Sequence, residues 1–358
     1  MKTSEFCLRV FAIMILSTLL QAQDVEEFER LGQVSMAFLD IDVGARAVGM
    51  GSAFTCIDND VNSLFWNPAG VASIQGGVIS LSNCQWIADI NQYAFAAALG
   101  TGRLGTFGIS LLVMDNGEIE NTIPNRPFSD HPEDYDSHPE GYQLAGTYSV
   151  QQWAAGLAYA RRITDKFSVG GQLKYCYEDF GEYDIVMPTY DDTTGKWIGF
   201  ETKEGVEDRE GVIALDFGTL YYFGFKDLRI AMSLRNFSQG VTYAFETFNL
   251  PITYKVAIAM NLLSVFPRME NHNLQITCVT VSPHDGGERV HLGCEYTFRN
   301  LLALRGGYRA NTDIGALSAG FGLTPSAFGG LNLHFDYAYS VAESIFGSLH
   351  RFSFGFAF

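Results

Sequence analysis

From about Val78 to the end of the chain, apolar side chains recur at every second position. Phe167, Val169, Gly171, Leu173, Tyr175 and Tyr177 share one parity. Ser168, Gly170, Gln172, Lys174, Cys176 and Glu178 share the other. Leu228, Ile230, Met232 and Leu234 alternate with Arg229, Ala231, Ser233 and Arg235, and Leu331 to Tyr339 repeats the scheme. Successive side chains of a strand point to opposite faces, so this period predicts strands with one apolar and one polar face. Fourteen such segments lie near 78–86, 91–100, 104–114, 148–162, 166–178, 210–222, 227–236, 251–261, 272–282, 288–298, 301–310, 314–323, 330–340 and 348–358. They are near or above the roughly 9–11 residues a tilted strand needs to cross a bilayer, whereas ordinary strands average about five or six.

An even number of long strands with aromatic-rich faces predicts an all-β, transmembrane antiparallel barrel of about 14 strands. Closure matters there, because a sheet edge has no water to pair with inside a bilayer. The connections agree. Thr101-Gly102-Arg103, Ile163-Thr164-Asp165, Gly224 to Lys226 and Arg299-Asn300 are short, whereas Asp115 to Thr147 and Asp179 to Arg209 are long. With short turns in the periplasm and long loops outside, as such barrels have them, the N-terminus and Phe358 are expected on the periplasmic side. The last strand carries Phe352, Phe354, Phe356 and Phe358 on one face and Arg351, Ser353, Gly355 and Ala357 on the other. A soluble lipocalin-like barrel would reverse this, with charge outside and apolar groups within. Leu173 is accordingly assigned to the lipid face, and Gln172 to a lumen where an Arg should be milder than at Leu173.

The chain opens differently. Val10 to Leu20 is an apolar stretch behind Lys2 and Arg9, followed by Leu20-Gln21-Ala22. This pattern predicts a signal peptide over 1–22, too short for a membrane-spanning helix. Residues 23–77 lack sustained alternation and read as a compact hatch or plug segment, leaving 78–358 as the barrel. Charged residues make up only 18% of the chain, against about 25% for an average soluble protein. The formal charge of −17 becomes −18 without residues 1–22. That balance excludes the basic face of a general nucleic-acid binder. Residues 115–140 and 179–208 together carry −14 of it, enough to solvate a rim or to attract cations or a basic partner. Asp130, Glu133, Asp134, Asp136, Asp191 and Asp192 are the candidate partner-binding positions.

Catalytic chemistry finds little support. His131 and His138 have no helical HExxH spacing, and Asp58 and Asp60 lack the Gly and Glu of a calcium loop. Gly49-Met50-Gly51 lacks the third Gly of a dinucleotide fingerprint. His334, Asp336 and Ser340 share a strand face, but a polar lumen explains them better than a triad. Inward Lys174, Glu178, Asp216, Arg229, Arg235, Lys255, Glu295, Arg305 and Arg309 are expected to pair across the lumen, since unpaired buried charges are costly. Cys278 and Cys294 could face each other, but small apolar strand residues are the plainer reading. No metal, cofactor or catalytic residue is expected.

Gly44-Ala45-Arg46-Ala47-Val48-Gly49-Met50-Gly51 and Asp58 to Gly70, with Trp66-Asn67-Pro68-Ala69, resemble the N-terminal hatch of FadL-like barrels. With Leu215 to Tyr221, Leu228 to Ala231, Asn236-Phe237-Ser238, Tyr159 to Arg162 and Leu250-Pro251, the chain resembles the PorV/PorQ family over nearly all its mature length. The resemblance implies a 14-stranded barrel in the bacterial outer membrane with a hatch inside it. The hatch positions it carries over are structural: Gly44, Arg46, Gly49, Gly51, Asp60, Trp66, Asn67, Pro68 and Gly70. It also implies type IX secretion: binding the C-terminal domains of secreted cargo and passing them from the translocon to the attachment complex for surface attachment. The partners would be those components and outer-membrane lipid, with no nucleic acid. The alternative is a FadL-like channel for uptake of hydrophobic solutes.

Overall fold

The computed structural model describes residues 33–124, 142–190, 193–243, 246–265, 271–312, 314–325, 331–342 and 347–358. Among these, fourteen strands close into one antiparallel barrel. They are β1 (Gly76–Gln85), β2 (Asn91–Gly100), β3 (Thr106–Asp115), β4 (Gln151–Arg162), β5 (Phe167–Tyr190), β6 (Trp197–Tyr222) and β7 (Arg229–Ser238). Then come β8 (Thr253–Asn261), β9 (His272–Pro283), β10 (Arg289–Phe298), β11 (Leu302–Ala310), β12 (Ile314–Leu323), β13 (Asn332–Ala342) and β14 (Ser348–Ala357). Each pairs with its neighbour in sequence, and β14 closes onto β1 from Val78↔Ala357 to Gln85↔His350. All fourteen expected segments are strands.

Burial follows the alternation with an inverted sense. Leu81, Phe107, Leu157, Leu173, Met232 and Phe354 are exposed on the outer face. Ala96, Ser110, Ala158, Gln172, Ala231 and Ser353, at the intervening positions, are buried. An apolar outside is stable only against an apolar solvent, and closure leaves no unpaired edge in it. No helix among the described residues is long and apolar enough to cross a membrane.

One expectation changes. The link Asp179–Arg209 is largely not a loop: β5 and β6 run 24 and 26 residues. Their neighbours stop pairing at Gln151↔Asp179 and Ala214↔Ser238. The hairpin beyond Asp179 therefore continues alone for roughly 35 Å at ~3.4 Å per residue. Its polar sequence hid the strand because no barrel wall imposes alternation there. The expected periplasmic N-terminus falls outside the described residues, but the direction of the segment that follows it is visible. Val34 forms a parallel bridge to Asn249, and the Ser35 amide donates to the Asn249 carbonyl at 2.9 Å. Asn249 precedes β8 at the long-loop end, whereas Gly77 and Phe358 exchange two 2.9 Å hydrogen bonds at the short-turn end. The first described residues thus lie at the end opposite Phe358, and residues 33–75 run the length of the lumen before β1 begins.

Candidate functional site

The lumen is occupied, and its chemistry comes from the segment 33–75 meeting the wall. The segment is a chain of short turns: 3₁₀ turns at Ala37–Asp40, Val61–Phe65 and Pro68–Ser73, and one helical turn, α1 (Ala45–Gly49). Local sequence dictates each. Gly44 and Gly51 flank α1 at φ +90° and +62°, a backbone region that side chains resist. Asp60 caps the second 3₁₀ turn, accepting from the Asn62 amide at 2.8 Å. Asn67 caps the third, accepting from the Ala69 amide at 3.0 Å, with Pro68 at the first position, where its missing N–H costs nothing.

The two sides of the lumen receive the segment differently. Towards β2–β4, Ala94, Ala96, Ala98, Ala154 and Ala158 form a shallow apolar wall in one cluster with Phe54, Leu64 and Trp66, and Leu64 lies against Gly108 of β3. Small inward residues leave room for these large ones. Towards β10–β13 the contacts are ionic. Arg46 reaches Glu295 through Nε and Nη2 at 2.9 and 2.6 Å and Asp60 through Nη1 at 2.9 Å. Arg305 donates to Glu295 at 2.6 Å and to Asp336 at 2.7 Å. The forked guanidinium matches a carboxylate bidentately, and each partner screens the other's burial. Arg309 donates to Asp42 at 2.7 Å, and Ser52 to the same oxygen at 2.6 Å. Burial pushes the Asp42 carboxyl up, but Arg309, Lys255 and the Ser52 hydroxyl outweigh it and hold the group at about 2.

The remaining joints are close approaches. The Asn67 amide donates to the Thr55 carbonyl at 2.8 Å and the Thr219 carbonyl of β6 at 3.1 Å. Trp66 donates to the Val43 carbonyl at 3.0 Å. Arg229 donates to the Cys56 carbonyl at 2.8 Å, and burial raises the Cys56 thiol to about 12. A Cβ on Gly70 would meet the Ile57 carbonyl and Ser63, on Gly49 it would press Gly320 and Arg305, and on Gly307 it would strike the Gly51 amide.

All nine hatch-motif positions therefore lie within this segment, with Arg46, Asp60 and Asn67 as its polar joints. The loop candidates Asp130, Glu133, Asp134, Asp136, Asp191 and Asp192, with His131 and His138, fall outside the described residues. Of the inward charges, Lys174 meets Asp216 at 2.9 Å, and Arg229 lies 3.5 Å from Asp227. Arg235 and Lys255 form no ion pair among the described residues, against expectation. Sequence reasoning missed Asp42 and the pairing of Arg46 with the distant Glu295, because no local spacing signals it. No triad forms: His334 bonds to Thr324 at 3.2 Å, Asp336 to Arg305, and the buried Ser340 hydroxyl has no partner. No disulfide joins Cys278 and Cys294.

Two cavities differ in character. One of about 290 Å³ lies in the short-turn half of the lumen, lined by Arg46, Asp60, Glu295, Arg305, His334 and Asp336. The other, about 400 Å³, is an apolar groove where β14 closes on β1, between Leu81, Tyr93, Phe95, Phe335, Phe352 and Phe354. Several of its lining side chains are outward-facing and exposed.

The sequence pattern of UPF0164, an uncharacterised protein family, matches residues 16–220. No curated protein matches the chain. Among solved structures, the CymD monoaromatic hydrocarbon channel superposes with a TM-score of 0.55 at 12% identity, over 89% of this chain and 98% of that one. A Pseudomonas aeruginosa FadL homologue gives 0.54 at 10%, covering 88% and 98%. The P. putida toluene transporter TodX gives 0.52 at 10%, covering 88% and 96%. At such identities the likeness is one of fold.

Proposed function

This chain belongs to the uncharacterised protein family UPF0164, and from its FadL-like fold we propose an outer-membrane channel that admits hydrophobic solutes past a luminal gate. One observation carries the reading: residues 33–75 fill the lumen of a 14-strand barrel and, apart from the single bridge at Val34, are held there by side-chain hydrogen bonds, ion pairs and packing rather than by a strand ladder. A segment held by side chains can shift without breaking a strand ladder, which is what a gate needs. The outward apolar face supports a bilayer setting. Fold likeness does not name the solute, so the test must. Cells carrying the barrel should take up labelled toluene faster than cells lacking it. Asn67→Ala, which frees the joint to Thr55 and Thr219, should raise that rate further. Equal uptake with and without the barrel would sink the channel reading.

A separate observation favours a second reading, cargo handling of the PorV/PorQ type in type IX secretion. The β5–β6 hairpin extends past both neighbours, and residues 179–208 hold nine acidic side chains against two basic ones. Such an arm suits a basic partner. Deleting residues 182–207 would then stop surface attachment of cargo and leave toluene uptake unchanged.

A further inference from the structure

Inside the lumen, the turn at residues 39–42 faces an excess of positive charge. Arg235 donates to the Leu39 carbonyl, Arg289 lies 3.9 Å from Asp40, Arg309 pairs with Asp42, and Arg351 donates to the Asp42 carbonyl. Lys255 is within electrostatic reach of both Asp40 and Asp42. Five basic side chains thus surround two carboxylates. Two inward acids of the neighbouring strands are committed elsewhere: Asp216 to Lys174 and the Asn236 amide, and Glu178 to Gln152 and Tyr243.

The excess concentrates between β7 and β8. Thr253 lies opposite Arg235 and Lys255 opposite Ser233, so the two cations are diagonal neighbours on one inward face. Diagonal positions are about 7–8 Å apart, close enough for one ligand to touch both long side chains. Arg235 is 8% exposed and Lys255 3%. Neither meets a carboxylate in an ion pair. Arg235 uses Nη2 on the Leu39 carbonyl at 3.3 Å, while its buried Nε has no acceptor. The Lys255 ammonium lies 4.6 Å from the centroid of the Trp66 ring, which attracts it but cannot accept its hydrogen bonds conventionally. A buried cation with no carboxylate in contact is unfavourable, and two side by side repel as well.

We infer that Arg235 and Lys255 hold a small oxyanion, a phosphate or a carboxylate, against the turn at residues 39–42. Its oxygens accept from the Arg235 Nε–H and the Lys255 ammonium, and its charge offsets the excess there. Because the turn belongs to the inserted segment and the cations to the wall, the anion acts as a further joint between them. This site does not depend on transport: the barrel can bind an oxyanion whether or not it conducts.

The test uses the full barrel, purified in detergent and freed of anions other than chloride. Inorganic phosphate should raise its Tm by roughly 5 °C once it is about 100-fold above its Kd, relative to sodium chloride of equal ionic strength. Lys255→Met and Arg235→Gln should each lose most of that rise. Without phosphate each should still melt in one cooperative transition within a few degrees of the parent, because relief of the repulsion between the two cations offsets the lost attraction to Asp42 or the lost bond to the Leu39 carbonyl; that transition also shows that the variants fold. Hexanoate supplies the second arm. A rise with both ligands supports a site that reads the anionic head alone. A rise with hexanoate only, growing with chain length, supports an anion that arrives on an amphipathic solute. No rise with either, or an undiminished rise in both variants, overturns the inference. Binding without toluene uptake would count against the channel and leave the anion site standing.

Discussion

At Gly307 the wall and the inserted segment meet backbone to backbone. A side chain there would strike the amide of Gly51, whereas one on Gly306, a single residue away, meets nothing within 4 Å. Parity explains the contrast: odd positions of β11 face the lumen and even ones face outward. Gly307→Val should therefore lower stability by at least about 1–3 kcal/mol, the usual cost of overpacking. Gly306→Val should stay within about 0.5 kcal/mol of the parent. Thermal unfolding of the two variants in one detergent measures both, and equal Tm values would show that the segment gives way freely. The faces at this scale were legible in the sequence: Leu173 is exposed and Gln172 buried, as alternation predicts. What filled the lumen was not. Gln172 donates to Ser110 at 2.5 Å, and its amide blocks any side chain at Gly156. An Arg at Gln172 therefore meets packed protein rather than water.

The inserted segment shows where sequence reading stops at the next scale. Its turns were foreshadowed by the residues that make them, Asn67-Pro68 as cap and first helical position and Gly44 and Gly51 at positive φ. Its route was not, because short turns carry no period from which to read a direction. Its ionic partners were hidden as well: Arg46 and Glu295 are 249 residues apart. The joint between Asp42 and Arg309 gives the segment a dependence on acid. The folded-state value of about 2 lies below the ordinary 3.8, despite burial that works the other way. The joint's contribution is therefore complete above about pH 4 and is lost as the pH falls towards 2. A shift of this size corresponds to on the order of 2 kcal/mol at neutral pH. Asp42→Asn should melt below the parent at pH 7, and the gap between the two should close as the pH is lowered from 4 to 2. A gap that does not change over that range would show that Arg309 does not hold the carboxylate.

For the whole molecule, strand alternation set the barrel, its closure and its inverted burial, and all of these follow from period two along one chain. The hairpin of β5 and β6 escaped notice because alternation reports burial, and a strand leaving the wall has none to report. Orientation rests on connection lengths and on the path of the segment. Gln33 is exposed near Asn249 at the long-loop end, and Asp165 is exposed in the short turn between β4 and β5. The cysteines among the described residues are buried or half-buried, so they react slowly with a bulky reagent. If long loops face outward in the outer membrane, a membrane-impermeant maleimide added to intact cells should label Gln33→Cys and spare Asp165→Cys. Breaking the outer membrane should then expose both. This pair tests the path of the chain as well as its orientation, because the upstream part of the segment and the end of β14 should fall on opposite sides. Labelling of Asp165→Cys alone in intact cells would turn the barrel over. Labelling of neither before lysis and both after it would place the start of the segment on the same side as the short turns, against the bridge between Val34 and Asn249.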